Sequence, residues 1–224
     1  MQTRLKYTFP WRDGNRFELL VDGREFFPHM LEAIELARRR VWLEIYLFES
    51  GAVADRFINA LARAAQRGVD VRILVDDFGV AKLRAADRER LAAAGAVLRY
   101  YNPLRMRKWL GNFFRDHRKF LIVDSNVAFV SGTGITDEFD DPESPDTSWR
   151  ETAVRIDGPV LVDWESLFRQ VWREHVGEAL APIMVPAAAP ADGMAGRVAT
   201  SASLRQQDIR RSLYQHVRGA DRRV

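Results

Sequence analysis

Hydrophobic and polar residues alternate over the first hundred positions in a pattern that predicts strands and helices in turn. Short stretches rich in β-branched and aromatic residues predict strands at 17–21, 41–48, 69–75 and 97–101. Apolar residues at helical spacing predict three helices between them: one after Gly23 with Pro28 near its first turn, one at 53–67 and one at 82–94. This alternation predicts an α/β fold whose sheet contains parallel strand pairs covered by helices.

A hairpin is predicted in the second half of the domain. Apolar strands at 119–123 and 127–130 flank the turn-forming triplet Asp124-Ser125-Asn126. A strand at 152–156 and an amphipathic helix at 160–175 follow, so we expect a domain covering residues 1–176. Residues 177–200 are rich in Pro, Ala and Gly and are predicted to form a linker.

Residues 201–224 repeat the apolar face of the first predicted helix. Aligning 220–224 with 37–41 places Ile209, Leu213 and Val217 on Phe26, Met30 and Ile34, and the second copy stops where the first enters its strand. We therefore expect one complete repeat followed by the first helix of a truncated second repeat. The alternative is an amphipathic helix that matches by chance.

Composition excludes several classes of protein and of site. With 47% hydrophobic and 29% charged residues, the 224-residue chain is expected to be globular rather than disordered or fibrous. It has no cysteine, which excludes disulfides, thiolate zinc sites and a catalytic thiol. The first residues lack a secretory signal, and no stretch approaches the roughly 18 apolar residues of a membrane span, so we expect a soluble chain.

Charge is distributed unevenly along the chain. The formal net charge is +3, but residues 197–224 hold seven arginines against two aspartates. Residues 99–119, which include Arg115, hold seven Arg and Lys against one Asp, and an anionic substrate would bind there. A solvated charged surface is the alternative. Within this stretch, residues 105–110 mix basic with apolar side chains, as in a segment that lies on an anionic bilayer.

The strongest candidates for chemistry are His117, Lys119 and Asp124. Residues two apart on a strand share a face, so the side chains of His117 and Lys119 are predicted to point the same way. This pair suits attack on a phosphodiester, because an imidazole can be a nucleophile or proton donor while an ammonium neutralises phosphate oxygens. Asp124 lies about 23 Å from His117 along an extended strand and has the opposite parity, so we expect a supporting role for it.

These residues carry a family resemblance. The pattern His117-x-Lys119-x4-Asp124, with the stretch FVSGTGITDEF at 129–139, resembles the HKD signature of the phospholipase D superfamily. The flanking blocks, which lie at 11–15, 65–69, 100–103 and 157–159, are similar to the bacterial cardiolipin synthase branch in its short form without transmembrane helices. The resemblance covers most of residues 11–176. It implies a phospholipase D-like α/β/α sandwich with a mixed sheet, present as one complete repeat.

The resemblance also implies phosphatidyl transfer in two steps, with phosphatidylglycerol as donor and acceptor and with no metal or other cofactor. One histidine attacks the donor phosphodiester to form a phosphohistidine, a second protonates the leaving alcohol, and an incoming hydroxyl releases the product. His117 would be the nucleophile or the acid, Lys119 would hold the phosphate, and Glu151 would orient the histidine. The alternative for Glu151 is a solvated carboxylate at the start of a strand.

One departure from the family concerns the phosphate-binding turn. The family pattern Gly-[Gly/Ser]-x-Asn falls on Ser131-Gly132-Thr133-Gly134, so the amide side chain that would donate to phosphate is missing. Thr133 or a backbone N–H is expected to substitute for it. Ser131, Thr133 and Arg115 are therefore the predicted substrate-binding residues.

The second departure is that the chain has one HKD motif where the chemistry needs two. His29, His175 and His216 each lack a lysine two residues later and are predicted to be structural. The second motif is expected from another copy of the chain or from a missing C-terminal half. For an enzyme that acts on phospholipids, the resemblance implies peripheral contact with the inner membrane from the cytoplasm.

Two other functions stay open at this point. A nuclease or phosphodiesterase with one HKD motif per chain would work as a symmetric homodimer, and nucleic acid would be a partner only in that case. An inactive fragment would bind anionic phosphates or lipid surfaces without turning them over.

Overall fold

A computed structural model of the chain describes residues 8–103, 115–141, 145–181, 192–201 and 207–221. The predicted membrane-contact segment, residues 105–110, lies outside the described residues. Eight strands and five α-helices are found in the described part of the chain. The strands are β1 (Arg12–Val21), β2 (Arg40–Ile45), β3 (Asp70–Asp76), β4 (Val97–Tyr101), β5 (Phe120–Val123), β6 (Val127–Ser131), β7 (Thr152–Asp157) and β8 (Met194–Gly196). The helices are α1 (Gly23–Leu36), α2 (Ala52–Gln66), α3 (Ala85–Ala93), α4 (Leu161–Val176) and α5 (Asp208–Arg218).

All eight strands form one mixed sheet in the order β4-β3-β2-β5-β6-β7-β1-β8. The pairs β2–β3 and β3–β4 are parallel, because α2 and α3 return the chain to the same edge between them. The remaining neighbours are antiparallel, and the predicted hairpin joins β5 to β6. The predicted α/β fold with parallel pairs is confirmed.

Side chains that alternate across the sheet divide the core into two layers. On one face α1, α2 and α3 cover residues such as Val41 and Leu43 of β2, and the predicted apolar face of α1 is buried there. On the other face α4 covers Trp42, whose ring lies 5.0 Å from that of Phe168, centroid to centroid. The molecule is thus an α/β/α sandwich with a mixed sheet.

Several boundaries differ from those predicted. β1 begins at Arg12 rather than at residue 17, because its polar first half pairs with β8, a short strand inside the predicted linker 177–200. Pro28 lies in the second turn of α1, not near its first, because that helix already begins at Gly23. α3 is shorter than its predicted span of 82–94.

Candidate active site

A cavity of about 480 Å³ opens where β3 and β4 end and β5 begins. The carboxyl ends of parallel strands meet at this edge of the sheet, which is the usual place for a ligand in open α/β folds. The cavity is lined by all five residues of the segment 115–119, of which Asp116 is acidic and the others are basic. Tyr101 and Ser131 at strand ends, Trp164 and Leu167 of α4, residues 199–201 and Ile209 also line it. We call it the site cavity. The contribution of residues 199–201 and of Ile209 was not foreseen from the sequence.

His117 and Lys119 meet in this cavity. The Nζ atom of Lys119 lies 3.0 Å from Nδ1 of His117 and 2.8 Å from the His117 carbonyl oxygen, to which it donates. The ring of Tyr46 packs beside both, with its centroid 4.7 Å from the imidazole and 5.3 Å from the ammonium. The side chains are together as predicted, although for a different reason, because β5 begins only at Phe120.

The surroundings adjust the acidity of both groups. Burial, followed by the charge of Lys119, lowers the pKa of His117 below its ordinary value of 6.5. Burial also lowers the pKa of Lys119 to about 8, although Asp116 and Glu151 act in the opposite direction. A neutral imidazole and a charged ammonium therefore coexist between these two pKa values.

Arg115, which is predicted to bind substrate, makes two hydrogen bonds within the protein. One guanidinium nitrogen donates to Oδ1 of Asp76 at 3.0 Å, and the other donates to the Asn102 carbonyl oxygen at 2.9 Å. Its Nε atom is buried without a hydrogen-bond partner, and the side chain lines the site cavity. Arg115 thus contributes positive charge to the cavity while it is anchored to the ends of β3 and β4.

Two buried carboxyl groups, those of Glu44 and Asp116, contact Arg118 next to His117, and they were not predicted from the sequence. Glu44 of β2 is 1% exposed, and its Oε1 atom lies 2.7 Å from Nε of Arg118. The same Nε atom donates to Oδ1 of Asp116 at 2.8 Å. Burial and the neighbouring Asp116 raise the pKa of Glu44 well above its ordinary range. A charged residue in the middle of the apolar stretch 41–48 was the signal that could have identified this cluster.

Glu151 lies near the cavity but is not bonded to the histidine. Its Oε1 atom accepts from the Thr152 N–H at 2.8 Å, and its charge acts on Lys119. Among the described residues no hydrogen bond joins Glu151 to His117. Gly132 leaves space for this carboxylate, because a Cβ atom there would collide with Oε2 of Glu151.

Of the two residues predicted to bind phosphate in the turn at 131–134, Ser131 lines the site cavity and Thr133 does not. Ser131 ends β6 and lines the site cavity, and its N–H donates to the Lys119 carbonyl oxygen at 3.3 Å. Thr133 is 2% exposed, and its hydroxyl donates to the carbonyl oxygen of Gly134 at 2.8 Å. A Cβ atom at Gly134 would lie 2.8 Å from the Cβ atom of Leu47. Leu47 therefore occupies the space that the family asparagine side chain would need.

Asp124 lies at the opposite end of β5 and is not brought to His117. It has a φ of 54° in the hairpin turn, and its carboxylate accepts from the N–H groups of Arg38, Arg39 and Arg40 at 2.8, 2.8 and 2.9 Å. These bonds fix the loop that leads into β2. In the structure Asp124 therefore supports the sheet.

The other histidines lie apart from the His117–Lys119 contact. Nδ1 of His29 and Nδ1 of His216 each lie within hydrogen-bond distance of the carbonyl oxygen four residues earlier in their helices. His175 packs on Tyr101 with ring centroids 4.0 Å apart, which fits the structural role predicted for it. In the described ranges no group of three or more His, Asp or Glu side chains could hold a metal ion. Nor does that part of the chain contain a helix long and apolar enough to cross a membrane.

Comparison with known proteins places this site in a family context. The family described as "Cardiolipin synthase, PLD-like domain" matches residues 30–172. Cardiolipin synthase B of Salmonella typhimurium is 34% identical over 177 residues, which are 74% of this chain and 43% of that protein. A cardiolipin synthase of Clostridium perfringens is 32% identical over 165 residues, covering 70% and 33%. The chain thus spans less than half the length of these curated relatives.

Solved structures agree on the fold. The phospholipase D family member Nuc from Salmonella typhimurium superposes with a TM-score of 0.54 at 22% identity, covering 72% of this chain and 96% of that one. The phosphatidylserine synthase of Haemophilus influenzae gives a TM-score of 0.55 at 17% identity, covering 69% and 36%. The sandwich is therefore of the phospholipase D type, as the sequence resemblance implied.

Proposed function

The chain belongs to the cardiolipin synthase, PLD-like domain family, and from that membership we propose that it carries out phosphatidyl transfer between phospholipids. Phosphatidylglycerol is the proposed donor and acceptor, so that two molecules give one cardiolipin and one glycerol. The observation that carries the proposal is the contact of 3.0 Å between Lys119 Nζ and His117 Nδ1 in a cavity lined by arginines. This arrangement pairs a nucleophile with a binding site for the phosphate anion.

His117 is assigned the role of nucleophile through its Nε2 atom. Nδ1 is in contact with Lys119, whereas Nε2 has no hydrogen-bond partner among the described residues. A phosphate oxygen that draws the Lys119 ammonium toward itself frees Nδ1 to carry the imidazole proton. Nε2 then presents its lone pair to phosphorus.

The proposed reaction has two displacements at phosphorus. In the first, Nε2 forms a bond to phosphorus, the bond from phosphorus to the glycerol headgroup oxygen breaks, and an acid protonates that oxygen. In the second, the hydroxyl of another phosphatidylglycerol loses its proton to the same group and displaces the histidine. Lys119 and Arg115 balance the negative charge that develops on the phosphate oxygens.

The remaining predicted residues take lesser roles in this scheme. Ser131 lines the cavity and is proposed to contact substrate. Thr133 and Asp124 act through the backbone, given the bonds that their side chains make within the protein. Glu151 keeps Lys119 charged by its electrostatic effect, and it contacts His117 only if the side chains rearrange when substrate binds.

The proton donor of the first step is proposed to come from a second HKD motif, on another copy of the chain or on sequence outside these 224 residues. Helix α5 supports the proposal that residues 201–224 begin a second repeat, because its bounds fall within those of α1 after a shift of 183 positions. Its matching residues Ile209, Leu213 and Val217 are 47%, 64% and 49% exposed. An exposed apolar helix face is typical of a surface that packs against a partner.

The proposed place of action is the cytoplasmic side of the inner membrane, by peripheral contact. Phosphatidylglycerol is an anionic lipid, and the seven arginines of residues 197–224 would favour an anionic surface.

Turnover of phosphatidylglycerol vesicles tests the proposed function. Wild-type chain, His117→Ala and the exposed-helix control His216→Ala are incubated with vesicles and scored for cardiolipin and glycerol. We expect equal amounts of both products from wild type and from His216→Ala, and at least a hundredfold loss in His117→Ala. A folded wild-type chain that binds vesicles without making product would contradict the proposal that two copies of these residues complete one site, and would favour either a second motif outside these 224 residues or a binding role. Cleavage of DNA in the same preparation would favour the nuclease alternative.

A further inference from the structure

The segment that carries the site has little regular structure of its own. Residues 115–119 precede β5 and belong to no strand, and the backbone bond that ties them to the sheet comes at the end of the segment, where the Lys119 carbonyl oxygen accepts from the Ser131 N–H at 3.3 Å. Catalytic groups must be held within a few tenths of an ångström of their working geometry. Some other interaction must therefore fix His117 and Lys119 in the cavity.

Asp76 at the end of β3 provides that interaction. It is 1% exposed, and one of its oxygens accepts from the Asp116 N–H at 2.8 Å while the other accepts from Arg115 at 3.0 Å. The N–H of Phe78 donates to the same carboxylate at 2.9 Å. Two of these three bonds come from the segment, from the two residues that directly precede His117.

We propose that Asp76 is the positioning residue that holds the 115–119 segment, and with it His117 and Lys119, in place for phosphodiester chemistry. The reference to chemistry rests on the proposed function, whereas the positioning itself is a structural claim. Charge-assisted bonds to a buried carboxylate are about twice as strong as neutral ones. In Asp76→Asn the charge is lost and one of the two acceptor oxygens becomes an NH2 donor, so either Arg115 or the Asp116 N–H loses its acceptor on β3, which favours release of the segment.

A second anchor lies on the other side of the segment but does not replace Asp76. The Asp116 carboxylate accepts from the backbone N–H of Arg118 at 3.2 Å and from its Nε at 2.8 Å, and Arg118 also contacts Glu44. These bonds join residues within the segment and tie it to β2. The attachment to β3 depends on Asp76.

The pKa of His117 gives a test in which the two outcomes have opposite signs. Burial and Lys119 lower this pKa, whereas the negative charges of Asp116 and Asp76 act weakly in the opposite direction. If Asp76→Asn releases the segment, His117 becomes hydrated and moves away from Lys119, and its pKa rises toward 6.5. If the segment stays in place, the loss of a negative charge lowers the pKa further.

The experiment is an NMR titration of the histidine rings in the full chain, with His117→Ala used to assign the His117 signal. Asp70→Asn, the same substitution at the other end of β3, is the matched control and should leave the His117 pKa unchanged. A rise in Asp76→Asn alone supports the proposal, and a fall or no change overturns it. The titration does not require turnover, so a chain that makes no cardiolipin still tests the positioning role of Asp76.

Hydrogen exchange of the wild-type protein keeps the proposal testable even if Asp76→Asn fails to fold. The Asp116 amide is buried against Asp76 although it belongs to no strand. We expect it to exchange at least a hundredfold more slowly than an unstructured amide. Exchange at the rate of exposed loop amides would overturn the proposal.

Discussion

The proposed roles of His117 as nucleophile and Lys119 as phosphate-binding group require two protonation states at the same pH. The imidazole must be neutral to attack phosphorus, and the ammonium must be charged to hold the phosphate. Burial and Lys119 lower the pKa of His117 below 6.5, and burial lowers that of Lys119 to about 8. The pair is therefore in its working form between the two values.

The expected consequence is a bell-shaped dependence of kcat/KM on pH. Activity falls below the pKa of His117 because the imidazole becomes protonated, and it falls above about 8 because Lys119 loses its charge. Rates of cardiolipin formation from pH 5 to 10 measure both limbs. Activity that stays constant through pH 9 would contradict the assignment of Lys119.

Lys119 is expected to reduce stability while it serves function. The residue is 7% exposed, and its lowered pKa means that the charged form is less favourable in the folded protein than in the unfolded chain. Lys119→Met should therefore abolish transfer and raise the free energy of unfolding by about 1 kcal/mol. Lys82→Met is the control, because its side chain is 73% exposed and should change neither property. Denaturant titration of both variants measures this, and a clearly destabilised Lys119→Met contradicts it.

At the scale of elements, the turn after β6 leaves no room for a side chain at Gly134, the position of the family asparagine. The N–H of Ile135 donates to the Leu47 carbonyl oxygen at 2.9 Å, and this close approach occupies the space that a side chain at Gly134 would need. Packing between the turn and the residues that follow β2 therefore favours glycine at position 134.

Restoring the asparagine is accordingly expected to harm the protein. Gly134→Asn should lower the free energy of unfolding by about 2 kcal/mol or more, because the new Cβ meets Leu47. Gly68→Asn is the control, since its φ of 86° suits asparagine and no atom lies within 4 Å of its Cβ position. Thermal melting compares them. A Gly134→Asn protein as stable as the Gly68→Asn control would contradict this account.

The elements themselves were largely predictable, and the site was predictable in part. Strand and helix periodicity predicted β2, β3, α2 and the β5–β6 hairpin, because each buries a regular apolar face. β1 was predicted too short because its first half is polar and pairs with β8, a contact between residues far apart in sequence. Asp76 follows an apolar strand in the sequence, yet only the fold brings it to residues 40 positions later.

At the scale of the whole molecule, the proposed chemistry makes the site dependent on a second HKD motif. If two copies complete one site, each active unit needs two His117 side chains. Mixing wild-type chain with an equal amount of His117→Ala should then lower activity to about half at a fixed amount of wild type, because random exchange puts half of the wild-type chains in mixed pairs. Activity that does not change on mixing would indicate that each chain works without another copy.

The central claim is that His117 of this chain forms a covalent bond to the phosphorus of a lipid. The most direct test is to quench a reaction with phosphatidylglycerol vesicles at alkaline pH, where a phosphohistidine survives, and to analyse the peptides by mass spectrometry. We expect a phosphatidyl adduct on the peptide that contains His117, lost after acid treatment and absent from His117→Ala. Cardiolipin formation without that adduct, or an adduct that persists in His117→Ala, would contradict the claim.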